Sequence, residues 1–186
     1  MADEGDILTD LDLDPAAGAN GADNQPSVGF LTQYIKDLSV ENPNAPASFQ
    51  WNEAPQVDLQ LNIGATEAGD GVHEVEVRVN ASAKAESGVL YAVELVYAGL
   101  VAVRNFPEDQ AHAFLYAEAP RILFPFARAI VADATRDAGF QPLLLDPIDF
   151  NALYMQRLQQ KAQEEAQSGG AAGDGTPPAD PSSDQS

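Results

Sequence analysis

The feature that most restricts the fold of this chain is a strict alternation of apolar and polar residues in two neighbouring segments. One segment runs from Val57 to Ile63 and the other from Glu74 to Ala81. A period of two residues places apolar side chains on one face of a β-strand and polar ones on the other. Residues 64–71 hold three glycines and predict a turn region between these strands. A further segment, Val89–Leu100, is apolar on both faces except for Glu94.

An earlier strand is predicted over Phe30–Val40, which also alternates. Pro43 and Pro46 end it, because proline has no N–H to give to a sheet ladder. Gly88 marks the reversal before the last strand. The chain therefore begins with four strands.

Helices follow the strands. Pro107 and the two acids after it predict a helix start. Pro120 is expected to end or interrupt that helix, and Pro125 to open a longer one over residues 126–138. Gly139 is placed to stop this second helix.

A last helix is predicted from Asp149, an acceptable N-cap. One helical stripe carries its apolar residues, which are Phe150, Leu153, Tyr154 and Leu158. Four strands followed by two to three helices predict an α+β fold, with helices on one face of a four-stranded antiparallel sheet.

Charge limits the partners of the chain. Its 186 residues carry 29 acids and 9 bases, a net charge of −20. Such a chain cannot neutralise phosphates, so nucleic acid and anionic membrane surfaces are excluded and a basic partner is expected. There is no cysteine, the N-terminus is acidic, and the run 89–103 is too short to span a bilayer, which together predict a soluble cytoplasmic protein.

The two ends of the sequence are acidic without any base. Residues 1–29 hold seven acids and residues 162–186 hold five. Both are predicted to be disordered tails, because they are poor in residues able to form a core, and residues 30–161 are predicted to form the folded domain. The apolar residues Ile7–Leu13 in the first tail are either a docking motif or simply part of a solvated tail.

No catalytic or metal-binding arrangement is found in the sequence. His73 and His112 have no neighbouring ligands, so a zinc site is not expected. The acids of residues 10–14 imitate a calcium loop that fails at Pro15 and Gly21. No nucleophile elbow or phosphate-binding loop is present. The sequence therefore predicts neither an enzyme nor a cofactor, and one alternative is a non-catalytic scaffold oligomer that binds a folded basic partner.

The sequence also has more apolar surface than one sheet and its helices need. The last strand has two apolar faces, and the helix over 126–138 is apolar around most of its circumference, so an oligomer is predicted. Phe49 and Trp51 lie in a loop that is expected either to form a groove with the stripe of the last helix or to staple that helix to the sheet.

Several stretches resemble the SecB family of protein-export chaperones. They are YIKDLSVENPNAP at residues 34–46, the paired strands through Arg78, PRILFPFAR at 120–128, FQPL at 140–143 and PIDFNALY at 147–154. The resemblance covers about residues 30–163. In one loop the family usually has Phe-Gln-x-x-Trp-x-Pro, whereas this chain has Phe49-Gln50-Trp51-Asn52-Glu53-Ala54-Pro55, so its tryptophan is displaced.

The resemblance implies an ATP-independent chaperone that holds unfolded precursors in the cytoplasm and passes them to SecA. It implies a dimer of dimers with the helix over 126–138 sandwiched between sheets, and a basic, zinc-bearing segment of SecA docked on an acidic patch. The implied residues fall into three sets. The client groove is Phe49, Trp51, Val57, Leu59, Leu61, Leu153, Tyr154 and Leu158; the SecA patch is Asp37, Glu41, Ala92 and Glu94; the oligomer interface is Val93, Leu95, Tyr97, Phe126 and Ile130.

Overall fold

The computed structural model of the chain describes residues 25–169, and side chains through residue 166. Four antiparallel strands form one sheet in the order β1-β4-β3-β2. They are β1 Ser27–Glu41, β2 Gln56–Gly69, β3 Val72–Ala85 and β4 Gly88–Arg104. This confirms the predicted number and antiparallel arrangement of the strands, and it leaves β1 and β2 as the two edges.

The turn between β2 and β3 is shorter than predicted. Most of the expected turn region, residues 64–69, belongs to β2, and only Asp70 and Gly71 connect the strands. Both have positive φ, at 48° and 73°, which a two-residue hairpin turn matched to the strand twist requires. The glycines of this region therefore do not all mark turns, since Gly64 lies inside the strand opposite Glu76.

Two bulges in β1 change which residues share a face. The register shifts between Phe30 and Thr32 and again between Ile35 and Asp37. Each bulge inserts one extra residue and reverses the alternation that follows it. As a result Leu38 and Val40 lie on the same face as Ile35, a grouping that simple alternation does not give.

The helices lie on one face of the sheet. Helix α1 spans Glu108–Ala113, a π-helical segment spans Phe114–Glu118, α2 spans Ala119–Asp137 and α3 spans Phe150–Gly169. The expected break at Pro120 takes the form of the π-helical segment directly before it, since the proline itself lies in the first turn of α2. The prediction that Pro125 opens a helix is wrong, because Pro125 lies inside α2.

The predicted helix caps are present. Gly139 has φ 92° and follows α2, and the N–H groups of Gly139 and Phe140 bond back to the carbonyls of Arg136 and Thr135, the pattern of a Schellman motif. The carboxylate of Asp149 accepts the N–H of Ala152 at 2.9 Å, which confirms it as the N-cap of α3.

The core lies between the sheet and α2. Helix α2 packs on β4 and β3, and its buried side chains Leu123, Phe124, Ala127 and Val131 meet the valines of β3 and the odd-numbered residues of β4. Regular structure extends beyond residues 30–161 at both ends, because β1 begins at Ser27 and α3 continues to Gly169. The rest of both predicted tails lies outside the described residues. No helix among residues 25–169 is long and apolar enough to cross a membrane.

Candidate functional site: an apolar groove and an acidic sheet face

A groove with a cavity volume of about 540 Å³ lies between the edge strand β2, the α1 region and α3. Its wall is mainly apolar and aromatic. The lining residues are Leu61, Ile63, His112, Tyr116, Ile148, Phe150, Leu153, Tyr154, Arg157, Leu158 and Lys161. Four of the predicted groove residues, at positions 61, 153, 154 and 158, therefore come together.

The groove opens onto an apolar strip along β2. Because α2 covers β4 and β3, the helix-side face of the neighbouring edge strand is left uncovered. Val57 and Leu59 lie on this face and are 43% and 45% exposed. They continue the line of Leu61 and Ile63 at two-residue spacing. The strip extends the groove by about 13 Å along the strand, from Leu61 to Val57.

Phe49 and Trp51 do not line the groove itself. The ring of Phe49 lies 5.3 Å from that of Phe140, and Trp51 packs against the small core cluster that contains Ala83 and Tyr91. Since Val57 pairs with Ala83, this loop lies beside the far end of the β2 strip. The contact of Phe49 with Phe140 lies shortly after α2, whereas both sequence alternatives placed this loop against the last helix, so both stay predictions.

Aromatic contacts join α3 to the preceding helices at the groove. His112 Nδ1 lies 2.9 Å from the Tyr154 hydroxyl, and the imidazole stacks on Tyr116 at 4.5 Å. Phe150 packs edge-on against Phe124 at 5.5 Å. These contacts fix the start of α3, whereas Leu158 farther along the helix is exposed.

The sequence analysis missed several groove residues. Arg157 and Lys161 continue the helical stripe of Tyr154 and Leu158 at spacings of three and four, so extending the stripe to polar residues finds them. The sequence analysis treats His112 only as a candidate metal ligand and does not use Tyr116, which lies four residues farther along the chain. Ile148 lies in the irregular connection between α2 and α3, and no periodicity predicts its position.

The predicted acidic patch lies on the other face of the sheet, away from the helices. Asp37 is opposite Val96, Glu41 is opposite Ala92, and Glu94 lies between Ser39 and Asn80. Ala92 and Glu94 also border a shallow depression of about 500 Å³ with both polar and apolar walls. In the described part of the chain, Asp37, Glu41 and Glu94 form no ion pair, so their charges are uncompensated.

A charged network lies beside this patch. Tyr34 donates to Glu74, Lys36 lies 2.6 Å from both Glu74 and Glu76, and Arg78 pairs with Glu76. Hydrogen bonds from Lys36 and Tyr34 lower the pKa of Glu74. Burial opposes ionisation of Glu76, but Lys36 and Arg78 outweigh it and lower that pKa as well. The bases of this face are thus occupied, which leaves the patch negative.

The network also explains the second apolar face of β4. Tyr34 is opposite Ala98 on one side and Glu76 is opposite Ala98 on the other. The side chains of β1 reach over this small residue to β3, and Ala98 is fully buried beneath them. The apolar residues of β4 therefore do not form an exposed strip, contrary to the expectation from sequence.

The predicted oligomer residues divide into two groups. Val93 and Leu95 are fully buried in the chain's own core and Tyr97 is 8% exposed, which leaves these three side chains little surface for contact with another subunit. Phe126 is 51% exposed and stacks on Tyr97 at 6.1 Å, and Ile130 is half-buried. The exposed apolar area lies instead on α2 and on the helix-side face of β1, at Ile35, Leu38 and Val40.

Within residues 25–169, no three His, Asp or Glu side chains come close enough together to hold a metal ion. The family described as preprotein translocase subunit SecB matches residues 21–161. This chain belongs to the SecB family. The resemblance seen in the sequence is thereby confirmed, and the protein is a chaperone of protein export.

Relatives and a solved structure agree with this assignment. The protein-export protein SecB of Erythrobacter litoralis is 72% identical over 162 residues, which cover 87% of this chain and 91% of the relative. SecB of Novosphingobium aromaticivorans is 56% identical over 160 residues, covering 86% and 92%. A SecB-like chaperone of Mycobacterium tuberculosis, solved with a ChAD peptide from the HigA1 antitoxin, is 15% identical and shares the fold with a TM-score of 0.51, covering 65% of this chain and 90% of that one.

Proposed function

We propose that the groove and the β2 strip hold non-native segments of export precursors without ATP in the cytoplasm. The observation that carries this proposal is the uncovered apolar face of β2, which leads into a groove already closed on one side by α3. Apolar burial is non-directional, so it accepts many sequences, at roughly 25 cal/mol per Å² of buried area.

The position of β2 supports binding of an extended segment. β2 is an edge strand, because β3 is its only neighbour in the sheet within residues 25–169. Its outer edge presents backbone groups to which an extended chain can hydrogen-bond with little sequence preference. The SecB-like chaperone of M. tuberculosis was solved with a bound peptide, which supports peptide binding by this fold.

A single groove binds weakly after the cost of ordering the client is subtracted. We therefore infer that strength comes from several grooves on one assembly. Ile122, Phe126 and Ile130 form one stripe on the outer face of α2, and the exposed residues of β1 lie beside it. This area supports a dimer of dimers in which α2 is covered by another subunit. Grooves on the same particle then engage one long client at high effective concentration.

We further propose that Asp37, Glu41 and Glu94, with Ala92 between them, dock the basic segment of SecA. Their uncompensated charges attract a basic partner and steer its approach. They face away from the helices, whereas the groove lies on the helix side. A client and SecA therefore fit on the same subunit together, which is what delivery requires.

The groove is tested by Leu59→Glu combined with Leu153→Glu, since both residues are partly exposed and tolerate a charge. We expect the double variant to lose most of its ability to suppress aggregation of a urea-unfolded precursor diluted without ATP. The matched control is Leu144→Glu with Met155→Glu, two exposed residues outside the groove. Suppression at the wild-type stoichiometry by the groove variant would reject the assignment, and wild-type protein that ignores unfolded chains would favour a scaffold.

A further inference from the structure

The charge of the groove is opposite to that of the chain. Among the residues that the structure describes, no acid lines the groove, whereas Arg157, Lys161 and His112 do. The whole chain, by contrast, has 29 acids and 9 bases. Lys161 lies 4.0 Å from Glu165, one turn farther along α3, and Arg157 has no ion pair among the described residues. The groove therefore fits an apolar segment that also carries acids.

One segment of this chain has that composition. Residues 6–14, with the sequence DILTDLDLD, contain four apolar residues and four aspartates. They lie outside the described residues and precede β1. The other end, residues 170–186, is also acidic but contains no Leu, Ile, Val or Phe. Only the N-terminal segment combines side chains for the apolar wall with carboxylates for the two bases of α3.

We propose that residues 6–14 occupy the groove of their own chain when no client is bound. Leu11 and Leu13 contact the apolar wall at Leu153 and Leu158, and the neighbouring aspartates pair with Arg157 and Lys161. Apolar contact supplies most of the binding, because an exposed ion pair is weak in water. The ion pairs select this segment over apolar segments that carry bases.

The stretch between residue 14 and the first described residue is long enough for the N-terminal segment to reach the groove. The carbonyl of Gln25 accepts a hydrogen bond from Asn105 at 3.2 Å, so the chain enters at the end of the sheet where β4 leads to α1. The groove residue Ile63 is level with Val77 and Tyr97 in the sheet. From the end of the sheet near Gln25 to Ile63 is about 23 Å along the strands and three strand spacings across, which gives about 27 Å in a straight line. The residues from Asp14 to Gln25 extend over about 36 Å.

The consequence is competition with clients, and this part rests on the proposed function of the groove. A tethered segment has an effective concentration in the millimolar range, so even weak binding keeps the groove occupied. A client must displace it, and its apparent affinity falls by the fraction of empty grooves. We expect Leu11→Ser with Leu13→Ser to raise client affinity about three- to tenfold.

The occupancy itself is tested without any client. The chain has no cysteine, so Thr9→Cys accepts a single nitroxide label in the full-length protein. We expect the label to broaden the methyl signals of Ile63, Leu153 and Leu158 and to spare Leu144. Leu11→Ser with Leu13→Ser, or Arg157→Glu with Lys161→Glu, restores the signals, whereas the charge control Lys84→Glu with Arg136→Glu does not.

Several results would overturn the proposal. One is equal broadening at Leu144 and at the groove, and another is no broadening at the groove. A third is broadening that appears only when spin-labelled chains are mixed with separate isotope-labelled chains, because it would place the segment in the groove of another copy. Groove broadening without any gain in client affinity leaves this inference standing and counts against the groove as the client site.

Discussion

The buried hydroxyl of Thr135 on α2 accepts the backbone N–H of Leu143 at 2.9 Å. The same hydroxyl donates to the carbonyls of Val131 and Ala132, at 3.0 and 3.1 Å. Thr135 is fully buried. This side chain therefore anchors the irregular connection between α2 and α3 at Leu143, and the same connection carries the groove residue Ile148.

Thr135→Val keeps the shape of the side chain and removes the hydroxyl. The N–H of Leu143 then lacks its acceptor, so we expect a loss of about 1–3 kcal/mol in the free energy of unfolding. Urea unfolding measures the loss. Thr135→Ser is the matched control, because it keeps the acceptor, and it should retain more stability than the valine variant. A valine variant as stable as wild type would show that this bond does not hold the connection.

A second prediction concerns Gly99 in the centre of β4. A Cβ atom at this position would lie 2.9 Å from Leu123 Cδ2 and 3.2 Å from Phe30 Cε1, and Leu123 is fully buried. We expect Gly99→Ala to overpack the core and cost about 1–3 kcal/mol. At Gly29 in β1 no atom of the described residues lies within 4 Å of the same Cβ position, so Gly29→Ala should be within about 0.5 kcal/mol of wild type. Equal thermal stability of the two variants would contradict the close approach.

The strands could be predicted from sequence because their periodicity is local. The faces of β1 could not, since two bulges reverse the alternation and a bulge leaves no mark in the hydrophobic pattern. Pro125 led to a wrong helix start because the sequence alone does not distinguish a proline in the first turn of a helix from one inside it. A proline inside a helix is tolerated only where packing stabilises the helix, and packing is not visible in the sequence.

The candidate site could likewise be predicted only in part from the sequence. Leu153, Tyr154 and Leu158 were found because they repeat along one helix, whereas the partner strand and His112 are joined to them only by tertiary contacts. Val93 and Leu95 were assigned to an interface because sequence shows that a residue is apolar without showing what covers it. The neighbouring acids of β1 and β4 needed the family resemblance to be grouped at all.

The ion network on the open sheet face predicts a dependence of stability on pH. Glu74 and Glu76 have pKa values below the ordinary 4.5 in the folded chain, so their contribution is complete above pH 4.5 and is lost as the pH falls through the lowered values. We expect Glu76→Gln to cost about 1–3 kcal/mol at pH 7, with the difference from wild type shrinking below pH 4.5. Chemical unfolding across this range measures it.

Glu67→Gln is the control for that experiment, because Glu67 is exposed on β2 and has no ion pair in the described part of the chain. It should leave the pH profile of stability unchanged. A constant gap between Glu76→Gln and wild type from pH 7 to pH 3 would mean that ionisation of Glu76 does not contribute.

The docking patch is tested by Asp37→Lys with Glu94→Lys. These residues lie on neighbouring strands of the open face. The change replaces two negative charges that attract a basic partner with two positive charges that repel it. We expect SecA affinity to fall at least about tenfold, or 1.4 kcal/mol, with client affinity unchanged. Glu67→Lys with Asp146→Lys is the control of equal charge on exposed positions. Unaltered SecA binding by the patch variant would reject the patch.

The last prediction concerns assembly. Phe126 is 51% exposed on the outer face of α2 although its ring stacks on Tyr97, and Ile35 is opposite Tyr97 in the sheet. An aspartate at position 126 adds a charge to this apolar area, and an unpaired charge buried between subunits is far more costly than one left in water. We therefore expect Phe126→Asp to shift native mass spectra from the proposed tetramer towards smaller species. Leu144→Asp, at a residue 70% exposed in the connection after α2, should give the same mass spectrum as wild type. Circular dichroism establishes that both variants are folded, and a folded Phe126→Asp protein that is still tetrameric would remove α2 from the interface.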